Sequence, residues 1–189
     1  MERKLEPPYC LIKKLPFDPQ GWFVNQQPLI EILKSHKIRD VIEIGSWLGS
    51  STRFFAENLA EDGHVYAIDT WLGSIEHEGD EKLPNLFQQF LSNMIHLDLA
   101  WKITPIRLPS LEAAQTLPIR ADLVYVDASH ERADVYNDIM HWYPHLNEKG
   151  VMCGDDWNWE SVKEGVIDAA FELKQETKTD DNFWWFEPL

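Results

Sequence analysis

Only two cysteines, Cys10 and Cys153, stand among 189 residues, far apart and without C-x-x-C spacing. That argues against a disulfide framework and offers no zinc-ligand pattern. Cys153, inside an apolar run, reads as a small buried hydrophobe. No apolar run nears the ~20 residues that cross a bilayer, and no charged-then-apolar leader opens the chain. The expectation is a soluble, cytoplasmic protein with no membrane partner. Basic residues are scarce too: 17 Lys and Arg against 32 Asp and Glu, a formal charge of −15. Affinity for nucleic acid comes largely from cations that neutralise phosphates, so no nucleic-acid partner is expected, despite a short basic patch at Arg3–Lys14. Also missing are internal repeats, low-complexity linkers and the G-x-G-x-x-G loop of pyrophosphate-binding folds.

What is present suits one domain of residues 1–189, with an N-terminal arm and leading helix (1–37) ahead of an α/β core (38–189). Whether it forms a homo-oligomer is left open. Met1–Pro19 is proline-punctuated and polar, an arm rather than a strand. Apolar runs of strand length fall at Asp40–Ile44, His64–Asp69, Lys102–Leu108, Ala121–Asp127, Val151–Asp155 and Phe183–Phe186. Helical patterns alternate with them: Pro28–His36, Thr52–Ala60, a face of Leu83, Leu86, Phe90, Met94 and Leu97, and one of Val135, Ile139 and Trp142. Ser110 and Ser129 are placed to cap helices, and Ser161–Glu164 spells a capping box. Such alternation predicts a doubly wound, mostly parallel sheet with helices on both faces. Pro105 puts its strand at the sheet edge.

The segment V-I-E-I-G-S-W-L-G-S-S, Val41–Ser51, is answered by Asp69 in V-Y-A-I-D. A strand ends in Glu43 and Gly45, a short loop follows, and a helix opens behind Gly49. An acid then closes the next strand. This order holds an adenosine-bearing ligand at the carboxyl ends of two parallel strands, with free N–H groups at the helix start and an acid for the ribose hydroxyls. Asp69 has no evident structural need, and the fold should tolerate its loss.

Parallel strands deliver their ends to one rim, so Glu43, Asp69, Asp127, Asp155 and Asp156 should converge, joined by His130 three residues past Asp127. Singly, each has a plainer role: Glu43 bonding a loop, Asp127 capping a helix, His130 solvated. Together they repel unless a cation lies among them. Three carboxylates are hard oxygen donors, which suit Mg²⁺, or Mn²⁺ or Ca²⁺, rather than zinc. The tryptophans Trp157, Trp159, Trp184 and Trp185 could wall a pocket. Thr70–Leu83, with Gly73, Gly79 and many charges, reads as a loop beside the ligand, suited to act as a lid.

The E-x-G-x-x-x-G-x-S loop resembles that of S-adenosylmethionine (SAM) methyltransferases of the catechol and caffeoyl-CoA O-methyltransferase type. D-A-S-H followed by G-D-D-W is similar to macrocin and mycinamicin sugar O-methyltransferases. The resemblance covers roughly residues 38 to 160. It implies a Rossmann-like methyltransferase sheet and O-methylation of a small hydroxylated acceptor, with a sugar as one class. It further implies SAM held by Glu43, Gly45, Ser46, Gly49, Ser51, Asp69, Ser110 and Asp127, with Gly45 against the ligand. A divalent cation would lie on Asp127, Asp155 and Asp156, with Asp127 and His130 as catalytic groups and His130 as the base. The short C-terminal part departs from the family, since its sixth strand is hard to find. The rival readings are a nicotinamide-dependent oxidoreductase, disfavoured by the glycine spacing, and a methyltransferase-like binding domain without catalysis, disfavoured by so many retained acids.

Overall fold

Seven strands form one sheet in the computed structural model, which describes residues 4–73 and 81–186. In chain order these are β1 (Asp40–Ile44), β2 (His64–Asp69), β3 (Ile103–Arg107), β4 (Ala121–Val126), β5 (Leu146–Gly154), β6 (Thr177–Asp180) and β7 (Phe183–Phe186). Their spatial order is β3-β2-β1-β4-β5-β7-β6. Strands β1 to β5 pair in parallel, while β7 runs antiparallel to both β5 and β6. The winding reverses between β1 and β4, where an open α/β sheet leaves a crevice at its strand ends. As Pro105 requires, β3 is an edge strand.

The helices are α1 (Gln26–Ser35), α2 (Ser50–Asn58), α3 (Leu86–His96), α4 (Ser110–Thr116), α5 (Arg132–Trp142) and α6 (Glu160–Leu173). Alternate strand residues point to opposite faces, which splits the core in two. Val41, Val65, Leu123, Tyr125 and Val151 pack with Leu29 of α1, Phe55 of α2, and Phe90 and Met94 of α3. Ile42, Ile44, Val124, Val126 and Met152 pack with Ala113 of α4, Ile139 and Trp142 of α5, and Val166 of α6.

Two polar groups hold the first layer together. Lys102, 5% exposed, donates through Nζ to the carbonyls of Ala56 and Leu59, the acceptor-rich end of α2. Asn93, buried in α3, accepts the Asp18 N–H and donates to the carbonyls of Asp18 and Leu48. With Ser92, which accepts the Leu15 N–H, it stitches the N-terminal arm to α3.

Helix starts differ from the sequence expectations. Gly49 takes a left-handed turn (φ 89°) and starts α2 at Ser50, two residues ahead of Thr52. Trp159 is the N-cap of α6, so Ser161 lies inside the first turn and the capping box does not form. Pro109 precedes α4, which places Ser110 within the helix. Ser129 is not the N-cap of α5, a place taken by Glu131; its hydroxyl accepts the Glu131 N–H and donates to Asp134. The strand missing from the sequence reading is β6, a polar T-K-T-D run that pairs with β7 at the edge of the described sheet. It lacks the apolar alternation that marks a buried strand.

Ser110 instead donates to Asp138 of α5 and accepts the Trp142 indole N–H at 2.9 Å. Asp138 is 5% exposed, and burial pushes its carboxyl up to about 6. A raised carboxyl pKa means that the folded state binds a proton the unfolded chain releases. The associated stability is complete below the ordinary carboxylate value and is lost as pH rises to about 6. Asp138→Asn should lack this component. Its stability relative to the parent should therefore rise between about pH 4 and pH 7, by at most roughly 3 kcal/mol at 1.36 per pKa unit. Denaturant melts across that range check it; a pH-independent difference would show that Asp138 ionises normally.

Candidate active site

The strand ends converge at the reversal of the sheet. The ladder runs past β1 and β4, since Gly45 N–H donates to the Ile68 carbonyl and Asp127 N–H to that of Ile44, both at 2.9 Å. Gly45 has φ 91°, and a Cβ on it would lie 1.8 Å from the Asp127 carbonyl oxygen. Two parallel strand ends packed this closely demand glycine at position 45. Gly49 likewise serves the core: a Cβ there would meet Met94 at 2.5 Å and Phe90 at 3.1 Å.

The loop between the glycines is tied to Asp69. Its Oδ2 accepts the N–H groups of Ser46 (3.0 Å) and Trp47 (2.9 Å), and its Oδ1 accepts that of Trp71 (2.7 Å). Burial raises the Asp69 carboxyl above its ordinary value, against the opposing pull of these N–H groups. Asp69 therefore has the structural task that the sequence did not reveal: it shapes the glycine loop. Glu43 lies fully buried behind the loop, accepting hydroxyl hydrogen bonds from Ser46 (2.6 Å) and Thr52. Burial pushes its carboxyl up to about 7, against the pull of the Ser46, Ser51 and Thr52 hydroxyls. Ser51 is itself buried in the first turn of α2.

Across the rim, burial and then the negative charges of Asp155, Asp156 and Glu43 hold the Asp127 carboxyl well above the usual range, with His130 acting in the opposite sense. Asp155, 6% exposed, accepts the Asp156 N–H and the Asn182 side-chain amide on Oδ1, each at 2.7 Å. Asp156 adopts φ 63°, and its Oδ2 lies 2.8 Å from His130 Nε2. The His130 ring stacks on Trp159, with centroids 4.4 Å apart and planes 14° apart. So Glu43, Asp69, Asp127, His130, Asp155 and Asp156 do share one rim.

The family profile described as a methyltransferase domain matches residues 42–157, which spans this entire rim. The chain belongs to the methyltransferase domain family. The fold is shared with solved O-methyltransferases. TomG from Streptomyces achromogenes, solved with SAM, is 14% identical with a TM-score of 0.66, over 87% of this chain and 80% of its own. An O-methyltransferase from Bacillus cereus, solved with S-adenosylhomocysteine (SAH), is 14% identical with a TM-score of 0.64, over 86% and 80%. A provisionally named caffeoyl-CoA O-methyltransferase from Staphylococcus aureus is 14% identical with a TM-score of 0.71, over 90% and 86%. None of the curated proteins compared matches the sequence.

Other expected features of this methyltransferase are placed differently. The Ser110 hydroxyl is committed to Asp138 rather than directed at the rim. Of the tryptophan group, Trp159 meets a rim side chain through its ring. Trp184 is a core residue, Trp185 pairs with Cys153 across the sheet, and the Trp157 ring lies under Lys163. The lid segment Thr70–Leu83 lies partly outside the described residues, at 74–80. Its start is anchored: Trp71 is buried, and its indole donates to the Trp47 carbonyl at 2.8 Å. Two residues had no signal in sequence: Asn182, on a turn remote from the motifs, and Asn25, buried just before α1 and favouring the ionised form of Asp155.

Asp127, Asp155 and Asp156 are all carboxylates, the hard oxygen donors that divalent cations such as Mg²⁺ take. Among the described residues, no three His, Cys, Asp or Glu side chains already stand as a coordination set. Asp156 is turned to His130 and Asp155 to Asn182. No described helix is long and apolar enough to cross a membrane.

Proposed function

We propose that this chain is a SAM-dependent O-methyltransferase acting on a small hydroxylated molecule, with a divalent cation assisting. The observation that carries the proposal is His130, braced by Asp156 and Trp159, on the same rim as the glycine loop and the buried acids. The SAM and SAH bound to TomG and the Bacillus cereus enzyme support the choice of donor. Sugar hydroxyls are the acceptor class that D-A-S-H and G-D-D-W favour. The charge of −15 weighs against a nucleic-acid acceptor.

In this reading the sulfonium of SAM supplies an activated methyl group. The chain's tasks are alignment and preparation of the hydroxyl. The Asp69 clamp presents the 45–49 loop in one shape, and the outer side of Asp69 takes the ribose. Asp127 takes the methionine amino group in this proposal. His130, held through Nε2 by Asp156, is the base that takes the acceptor's proton. A divalent cation bound by Asp127, Asp155 and Asp156 would lower the pKa of the acceptor hydroxyl.

Calorimetry with SAM, SAH and NADH, with and without Mg²⁺, followed by a screen of hydroxylated acceptors, tests this proposal. Binding of SAM and SAH but not NADH is expected. Asp69→Ala should lose SAM binding and also melt earlier, because three loop N–H groups lose a charged acceptor, each worth about 1.5–3 kcal/mol. An Asp69→Ala protein that binds SAM like the parent removes the ribose assignment.

A further inference from the structure

Both groups that brace His130, the Asp156 carboxylate and the Trp159 ring, come from one turn, residues 155–159, between β5 and α6. The turn is tight. The Trp159 N–H donates to the Asp156 carbonyl at 2.9 Å, and Asp156 itself has φ 63°. A non-glycine residue keeps that left-handed conformation only where its surroundings impose it. Here Asn182 reaches in from the turn between β6 and β7. Its backbone carbonyl accepts the Trp157 N–H and its Oδ1 accepts the Asn158 N–H, each at 3.0 Å. Its side-chain amide donates to Asp155 Oδ1 at 2.7 Å and, at 3.3 Å, to Asp156 Oδ1. The hairpin is set in place by the pairing of Gly154 with Trp184, whose indole N–H donates to the Asp155 carbonyl at 3.1 Å.

An asparagine suits this place because its two ends differ: the carbonyl end takes a backbone N–H of the turn, and the amide end takes carboxylate oxygens. Adjacent carboxylates repel, and a donor shared between them offsets the repulsion. With Asp156 Oδ1 engaged by Asn182, the other oxygen, Oδ2, is the one that meets His130 Nε2 at 2.8 Å. Trp159 follows the same turn through its bond to the Asp156 carbonyl. Loss of the Asn182 amide should therefore release both supports of the imidazole together, the carboxylate at its edge and the indole on its face.

We propose that Asn182 is a positioning residue for His130: through the 155–159 turn it sets the carboxylate edge and the indole face between which the imidazole is held, so the β6–β7 hairpin belongs to the active rim. This rests on the reading of His130 as the base. The first test needs no acceptor. In ¹H–¹³C spectra of the histidine rings, with the His130 signals assigned by their loss in His130→Ala, stacking on Trp159 should shift the parent's His130 ring protons upfield. Asn182→Asp keeps the size and the acceptor for the Asn158 N–H but puts a third carboxylate where the donor was; Asn182→Ala removes both ends. Each should lose most of the upfield shift. Phe186→Leu trims the buried part of β7 and should melt earlier yet keep the shift. The second test is single-turnover methyl transfer, in which Asn182→Asp should be slower by about 10²-fold, with SAM affinity within about twofold of the parent. Added to His130→Ala, the same change should cost nothing more, because it acts through the ring already removed. A parent without the upfield shift, Asn182 variants that keep it, or a Phe186→Leu protein that loses as much would each overturn the proposal. A His130→Ala enzyme with the parent's rate overturns the base reading instead, and with it the catalytic part of this proposal, whatever the spectra show.

Discussion

Gly45→Ala is expected to remove a large part of the fold's stability. The added methyl carbon would stand 1.8 Å from the Asp127 carbonyl oxygen, 2.6 Å from its carbon and 2.9 Å from Ala128 Cα. All three are backbone atoms, so no side chain can rotate to make room. Relief would have to come from parting β1 and β4 where Asp127 N–H donates to the Ile44 carbonyl. The positive φ adds roughly 1–2 kcal/mol for any residue with a Cβ. A total above about 4 kcal/mol is expected, against domain stabilities of about 5–15 kcal/mol. Circular dichroism and thermal melts check this. A Gly45→Ala protein that melts within a few degrees of the parent and loses only SAM affinity would return Gly45 to ligand contact, as the family resemblance implied.

The second large effect is expected at His130. His130→Ala should keep SAM and SAH affinity within about twofold yet slow methyl transfer by about 10²–10⁴-fold, the usual contribution of a positioned base. The reason is local. The imidazole is held edge-on by Asp156 and face-on by Trp159, so it is oriented before any acceptor arrives. Single-turnover rates with an acceptor found in the screen would measure it, with SAH calorimetry on the same samples to show that the site is intact. A parent-like rate would remove the base, leaving alignment and the acid cluster to activate the hydroxyl.

Legibility in the sequence followed burial. Strands facing helices on both sides, such as Leu123–Val126, show as apolar runs because every position is covered, and Val41–Ile44 does so apart from Glu43. Pro105 marked its edge because a ring nitrogen cannot donate to a further strand. The rim acids were legible for a topological reason: parallel strands point the same way, so the last residue of each must arrive at one end. The polar strand Thr177–Asp180 gave no such signal, since it is half-exposed and lies beside β7 at the edge of the described sheet.

Which residues sit at the rim was therefore decided by the sequence, through strand pattern and strand ends. What each of them does there was decided by tertiary contact. Gly45 answers to a carbonyl eighty-two residues along the chain, Asp69 to amides of a loop formed by another strand, and Ser110 to an acid on α5. Asn182 reaches the acid pair only because a hairpin folds back beside β5. Periodicity carries the burial of a residue because burial repeats with the local helix or strand. Hydrogen-bond partners distant in sequence carry no period, and only the packed chain sets them side by side.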